Sequence, residues 1–146
     1  MDATATVSRM TIAFTATQTI PASPEAVWSA LTDWDRAPAW LGVERMRGES
    51  PLRVGSELTF VARGADRTST VTELEPGRRI TMTSTQGPVT AHYRYAVAPD
   101  GAGSTVTLEA EVLVKGPLKV MAPTIRGSIA KEDGTQLERL AALVAG

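Results

Sequence analysis

The chain has 146 residues, 42% of them hydrophobic, with 15 basic and 16 acidic side chains and a net charge of -1. That length predicts one domain with one sizeable core, and the mean hydropathy of -0.06 predicts a soluble globular protein. The balanced charge leaves no overall field to draw the chain to nucleic acid or an anionic membrane. The absence of cysteine excludes disulfides and thiolate chemistry and fits a reducing cytoplasm.

Residues 1–9 are small and polar, lack a signal-peptide pattern, and read as a flexible end before a single domain over 10–146. Residues 10–20 alternate Ile12, Phe14, Ala16 and Ile20 against threonines, the pattern of a strand with one buried face. Ser23 then stands as an N-cap before Pro24 and Glu25, and Val27, Trp28, Ala30, Leu31 and Trp34 form the stripe of a short helix. A second short helix is expected over 33–41, interrupted near Pro38 and ended by Gly42. Strands are expected over 43–49, 56–63, 67–74, 78–85, 89–98 and 105–114. The turns between them are Gly64-Ala65-Asp66, Glu75-Pro76-Gly77, Gln86-Gly87-Pro88 and residues 99–103. The stretch 116–146 reads as one amphipathic helix of roughly 28 residues, about 40 Å long. Its apolar stripe is Leu118, Met121, Ala122, Ile125, Ile129, Gln136, Leu137, Leu140 and Val144. Pro123 either bends that helix or marks its start. The sum is an α+β antiparallel meander closed by one long helix.

The residues Thr19-Ile20-Pro21-Ala22-Ser23-Pro24-Glu25-Ala26-Val27-Trp28 resemble the opening I-x-A-P-x-E-x-V-W signature of START-related, Bet v 1-like proteins, the SRPBCC superfamily. Asp33-Trp34-Asp35-Arg36-Ala37-Pro38-Ala39-Trp40 resembles the segment that follows it. The stretch from Gly116-Pro117-Leu118 to Leu137-Glu138-Arg139-Leu140 is similar to the final helix of the polyketide cyclase/dehydrase branch. The resemblance implies a helix-grip fold. A curved antiparallel sheet of about seven strands wraps a long C-terminal helix, two short helices follow strand 1, and a ligand cavity lies between sheet and helix. It also implies a range of roles, from aromatase/cyclases to lipid and hormone carriers and quinone chaperones, so fold alone does not give function. In the cyclase branch it implies arginine and several tryptophans inside the pocket.

If the apolar register faces the helix, Leu58, Phe60, Ile80, Met82, Ser84, Tyr93, Tyr95, Val106, Leu108, Ala110 and Val112 point inward. Over 67–74 one register is Thr68, Thr70, Thr72 and Leu74; the other is Arg67, Ser69, Val71 and Glu73. The two charges of the second favour the first as inward, and threonines then stand where a cyclase would carry its arginine. The candidate ligand-binding residues are therefore Trp40, Phe60, Thr68, Thr70, Thr72, Met82, Ser84, Tyr93, Tyr95 and Leu108 with Met121, Ile125 and Ile129 of the helix. This lining suits a mostly apolar small molecule, although the same alternation describes a packed core. Ile125→Asp is expected to be severely destabilising if Ile125 meets the sheet.

For chemistry, Tyr93 and Tyr95 are the catalytic candidates, but a phenol with a pKa of about 10 is a poor base unaided. His92 is the only histidine, which makes a histidine metal site improbable, and it points outward beside Arg94. Glu109 and Glu111 share that outer face, placed to pair with Arg94. No Walker, dinucleotide, zinc or calcium motif occurs, and no metal or cofactor is expected. The expected function is binding of a polyketide-, lipid- or isoprenoid-like molecule in a hydrophobic cavity. The alternatives are a polyketide cyclase/dehydrase steering a reactive polyketone and a protein-interaction module without a ligand. No nucleic-acid partner and no membrane insertion are expected, and the chain is expected to be a cytoplasmic monomer or homodimer.

Overall fold

A computed structural model describes residues 11–145. The flexible end expected over 1–9 lies outside them, as does Met10. Strand β1, Thr11–Ile20, leads into helix α1, Pro24–Leu31. Ser23 caps α1 as its sequence predicts, its Oγ accepting from the Ala26 N–H at 3.2 Å. Asp33 caps a short 3-10 helix, Trp34–Ala39, and Gly42 turns the chain at φ 77. The meander follows as β2 (Arg45–Gly48), β3 (Glu57–Ala62), β4 (Ala65–Glu75), β5 (Arg79–Gln86), β6 (Val89–Asp100) and β7 (Gly103–Val114). All neighbours are antiparallel in the order β1-β7-β6-β5-β4-β3-β2, a seven-stranded open sheet. The α+β helix-grip expectation is met, with the first strand closing back beside the last.

Three local expectations are corrected. The β3–β4 turn falls on Arg63 and Gly64, both left-handed at φ 51 and 75, one residue earlier than expected. That is the two-residue turn whose twist matches a hairpin. In β1 the register shifts between Ile12 and Phe14, so Ile12 pairs with Glu111 on the outer face and is exposed. The C-terminal stretch is not one helix. A 3-10 segment, Gly116–Met121, precedes α2, Ala122–Asp133, and α3, Gln136–Ala145. Pro123 lies in the first turn of α2, where its missing N–H removes no hydrogen bond, so it marks a start. Gly134 and Thr135, both weak helix formers, separate α2 from α3.

The core joins the inner face of the sheet to α1 and α3. Ile20, Val27, Leu31, Leu58, Ile80, Tyr95, Val106, Leu108, Leu137 and Leu140 are all buried in it. Trp40 joins them, its ring edge-on to Tyr95 at 5.7 Å and 84°.

The outer face carries the polar register. Arg94 reaches Glu109 at 2.7 Å, Glu111 at 3.4 Å and Glu73 at 3.5 Å, the pairing the sequence predicts extended by a third carboxylate. Burial opposes the Arg94 charge, but these carboxylates outweigh it and raise its pKa. His92 lies beside them with Nδ1 2.6 Å from Thr83 Oγ1. Burial holds His92 below its ordinary value of 6.5 despite the Glu111 charge. The Thr81 hydroxyl donates to Glu73 at 2.7 Å and, with Arg94, holds that carboxyl below its ordinary 4.5. Both shifts favour the deprotonated form in the fold, so protonation favours the unfolded chain. The His92 contribution is fully present above 6.5 and the Glu73 contribution above 4.5; each is lost as pH falls through its lower folded value. Urea melts across this range are expected to lose stability in two stages. His92→Gln removes the first and Glu73→Gln the second.

Candidate functional site

The sheet and α2 do not close on each other along their whole length. Between them lies an open pocket of about 450 Å³. Strand alternation supplies Phe60 from β3, Arg67 and Ser69 from β4, Met82 and Ser84 from β5, and Ala91, Tyr93 and Tyr95 from β6. Ile125, Ile129 and Asp133, at i, i+4 and i+8, present one face of α2 as the opposite wall. Leu41, Gly42 and Val43 and then Met46 of β2 supply a further side, and Gln136 of α3 stands where the wall meets the core.

The polar groups are arranged in pairs. Tyr93 Oη donates to Asp133 Oδ2 at 2.6 Å, and Tyr95 Oη donates to Gln136 Oε1 at 2.5 Å. Each ties β6 to a residue some forty positions later. Ser69 and Ser84 share a hydrogen bond across β4 and β5. Burial, with the Asp133 carboxylate adding to it, pushes the Tyr95 phenol well above the ordinary tyrosine range. Tyr95 therefore holds its proton and can donate but not serve as a base. Arg67 is half-buried in the wall, and its guanidinium makes no ion pair or hydrogen bond among the described residues. A guanidinium so placed can meet an oxygen anion or a carbonyl.

Of the thirteen sequence candidates, Phe60, Met82, Ser84, Tyr93, Tyr95, Ile125 and Ile129 line this pocket. The other six do not. Thr68, Thr70 and Thr72 lie on the outer face, and Arg67, Ser69 and Val71 face inward. The reason is a bulge at Thr72: Val71 pairs with Met82 and Glu73 with Thr81, leaving Thr72 over. The extra residue returns Leu74 to the inner face, so neither uninterrupted register over 67–74 is the real one. Trp40 is fully buried behind Tyr95 and does not reach the pocket. Leu108 belongs to the closed core, at 1% exposure. Met121 is exposed, because the 3-10 segment that ends on it does not continue the phase of α2. Ile125 is half-buried against open space, so Ile125→Asp leaves its carboxylate partly hydrated and is not the severe change expected.

An open antiparallel sheet gripping C-terminal helices, with a pocket at the grip, defines a helix-grip protein. The chain belongs to the polyketide cyclase / dehydrase and lipid transport family, which it matches over residues 11–145. Among solved structures it is similar to protein CV1439 from Chromobacterium violaceum, at 25% identity and a TM-score of 0.66, covering 91% of this chain and 96% of that one. It is similar in fold to the di-domain ARO/CYC StfQ of the steffimycin biosynthetic pathway, at 14% identity and a TM-score of 0.69. That match covers 90% of this chain and 49% of StfQ. Ara h 8.0201 shares the fold at 13% identity and a TM-score of 0.67, over 90% of this chain and 96% of its own. No curated protein matches the sequence.

Proposed function

We propose that the chain binds a hydrophobic small molecule, polyketide-, lipid- or isoprenoid-like, in the pocket between the sheet and α2. The observation that carries this reading is the composition of the walls. Phe60, Met82, Ala91, Ile125 and Ile129 offer an apolar enclosure, and its few polar groups converge on it as Arg67, the Ser69–Ser84 pair and the Tyr93–Asp133 pair. The volume is that of sites for ligands of ordinary size, about 300–1,000 Å³. A ligand with an apolar body and one acidic or carbonyl oxygen suits this arrangement, the oxygen meeting Arg67. Family membership supports the same reading, and the open pocket argues against an interaction module built on a dense core.

A fluorescence titration with 1-anilinonaphthalene-8-sulfonate, an apolar body bearing one anion, tests it. The native protein is expected to bind one molecule saturably. Ile129→Trp fills the pocket and abolishes binding, and Arg67→Ala weakens it roughly tenfold, the value of one lost charge-assisted contact. Dye binding indifferent to Ile129→Trp would sink the proposal.

A second reading is favoured by one specific observation. Tyr93 and Asp133 form a phenol–carboxylate pair open to the pocket, and Arg67 supplies the inward cation that the sequence register hides. That set can hold and protonate an enolate oxygen, which fits a polyketide cyclase/dehydrase. If Tyr93→Phe changes the products formed from a nascent poly-β-ketone while dye binding persists, the protein is an enzyme rather than a carrier.

A further inference from the structure

We infer that the segment Gly116–Met121 docks the protein reversibly on the surface of an anionic phospholipid bilayer. Five large hydrophobic side chains are exposed among the described residues, and three of them, Leu118, Val120 and Met121, fall in this one six-residue segment. Val120 is 83% exposed, so its side chain contributes nothing to the core. A cluster of this kind marks a contact surface where scattered single residues would not.

Charge says which surface. From Lys115 to Lys131 the sequence is KGPLKVMAPTIRGSIAK, with four basic residues and no acidic one, in a chain whose net charge is -1. None of Lys115, Lys119, Arg126 and Lys131 makes an ion pair among the described residues. Lys115 and Lys119 flank the apolar tip directly, and Arg126 and Lys131 continue the basic run along α2. Apolar side chains that enter the headgroup boundary beside lysines that meet lipid phosphates are the pattern of a reversible interfacial contact. No helix among the described residues is long and apolar enough to cross a membrane, so the contact is peripheral.

The location suits such a contact. The Lys115 N–H donates to Pro88 O at 2.9 Å, tying the base of the segment to the turn between Gln86 and Val89, both of which line the pocket. At its other end Met121 leads directly into α2, whose Ile125 and Ile129 form the pocket wall. Docking here would bring the pocket rim beside the bilayer. The inference does not require a pocket ligand and is tested on the empty protein.

The test is sedimentation with vesicles of phosphatidylcholine alone and of equal parts phosphatidylcholine and phosphatidylglycerol. Binding is expected to the anionic vesicles, to weaken with added salt, and to be at least tenfold weaker on the neutral ones. A basic side chain near such a surface is worth roughly fivefold in partitioning, so Lys115→Glu with Lys119→Glu should reduce binding by roughly twenty-fivefold or more. Val120→Asp should remove it. All three side chains are exposed and outside the pocket, so melting temperature and dye titration should stay unchanged, which separates lost docking from lost folding. Failure to bind anionic vesicles, or binding that survives these substitutions, overturns the inference. Self-association in sedimentation velocity that Val120→Asp abolishes, without vesicle binding, would make a second copy the occupant and overturn it equally.

Discussion

Leu140→Ala is expected to destabilise the protein by about 3 kcal/mol, lowering Tm by roughly 6–12 °C for a chain of this length. Ile125→Ala, which removes the same class of side chain from the neighbouring helix, is expected to cost less than about 1 kcal/mol. The difference follows from where each side chain ends. Leu140 is 0% exposed and packs with α1 and the sheet in the closed core, so truncation leaves a cavity that rigid neighbours cannot fill. Ile125 faces the open pocket and is already half in solvent, so truncation only widens a space that exists. Urea melts of the two variants read this contrast directly. Equal losses would mean that α2 seals against the sheet as α3 does and that no ligand space separates them. The dye titration should show the reverse order, with Ile125→Ala altering affinity and Leu140→Ala not.

The parts of the fold governed by local chemistry were legible in the sequence. Ser23-Pro24-Glu25 announces α1 because a cap and a first-turn proline act within four residues. The strands and most turns follow from period-two alternation and glycine, and Arg94 opposite Glu109 follows from antiparallel pairing once β6 and β7 are neighbours. What stayed hidden depends on a single residue of frame or on contacts far apart in sequence. The bulge at Thr72 hides the inward Arg67, because a charge in an alternating strand reads as outward until the ladder is seen. Asp133 carried a usable signal, since it continues Ile125 and Ile129 at steps of four. Gln136 carried another, as a polar residue in an apolar stripe that needs a buried partner. Neither names Tyr93 or Tyr95 as that partner, because each pairing spans about forty residues. Trp40 stands among the ligand-binding candidates because an amphipathic ring suits a pocket wall; here the ring folds under Tyr95 instead.

Tyr95→Phe is expected to cost about 2 kcal/mol although it deletes one oxygen atom. The hydroxyl donates to Gln136 Oε1 where Tyr95 is 0% exposed and Gln136 2%, so its loss leaves an amide oxygen in a dry site. Gln136→Leu is expected to cost a similar amount by stranding the phenol. The double variant Tyr95→Phe with Gln136→Leu removes both polar groups and should lie within about 1 kcal/mol of the native protein, so the cycle yields a large coupling energy. Additive losses would mean that the two side chains are hydrated and that the boundary between core and pocket lies deeper than the structure places it. The alkaline limb supplies an independent reading. The folded pKa of Tyr95 is raised above its ordinary value of 10.0, so its contribution is fully present below 10.0 and is lost as pH rises through the folded value. Native protein should therefore lose stability above that point by an increment that Tyr95→Phe does not show. The same shift fixes the task of Tyr95, which keeps its proton and braces α3 against β6.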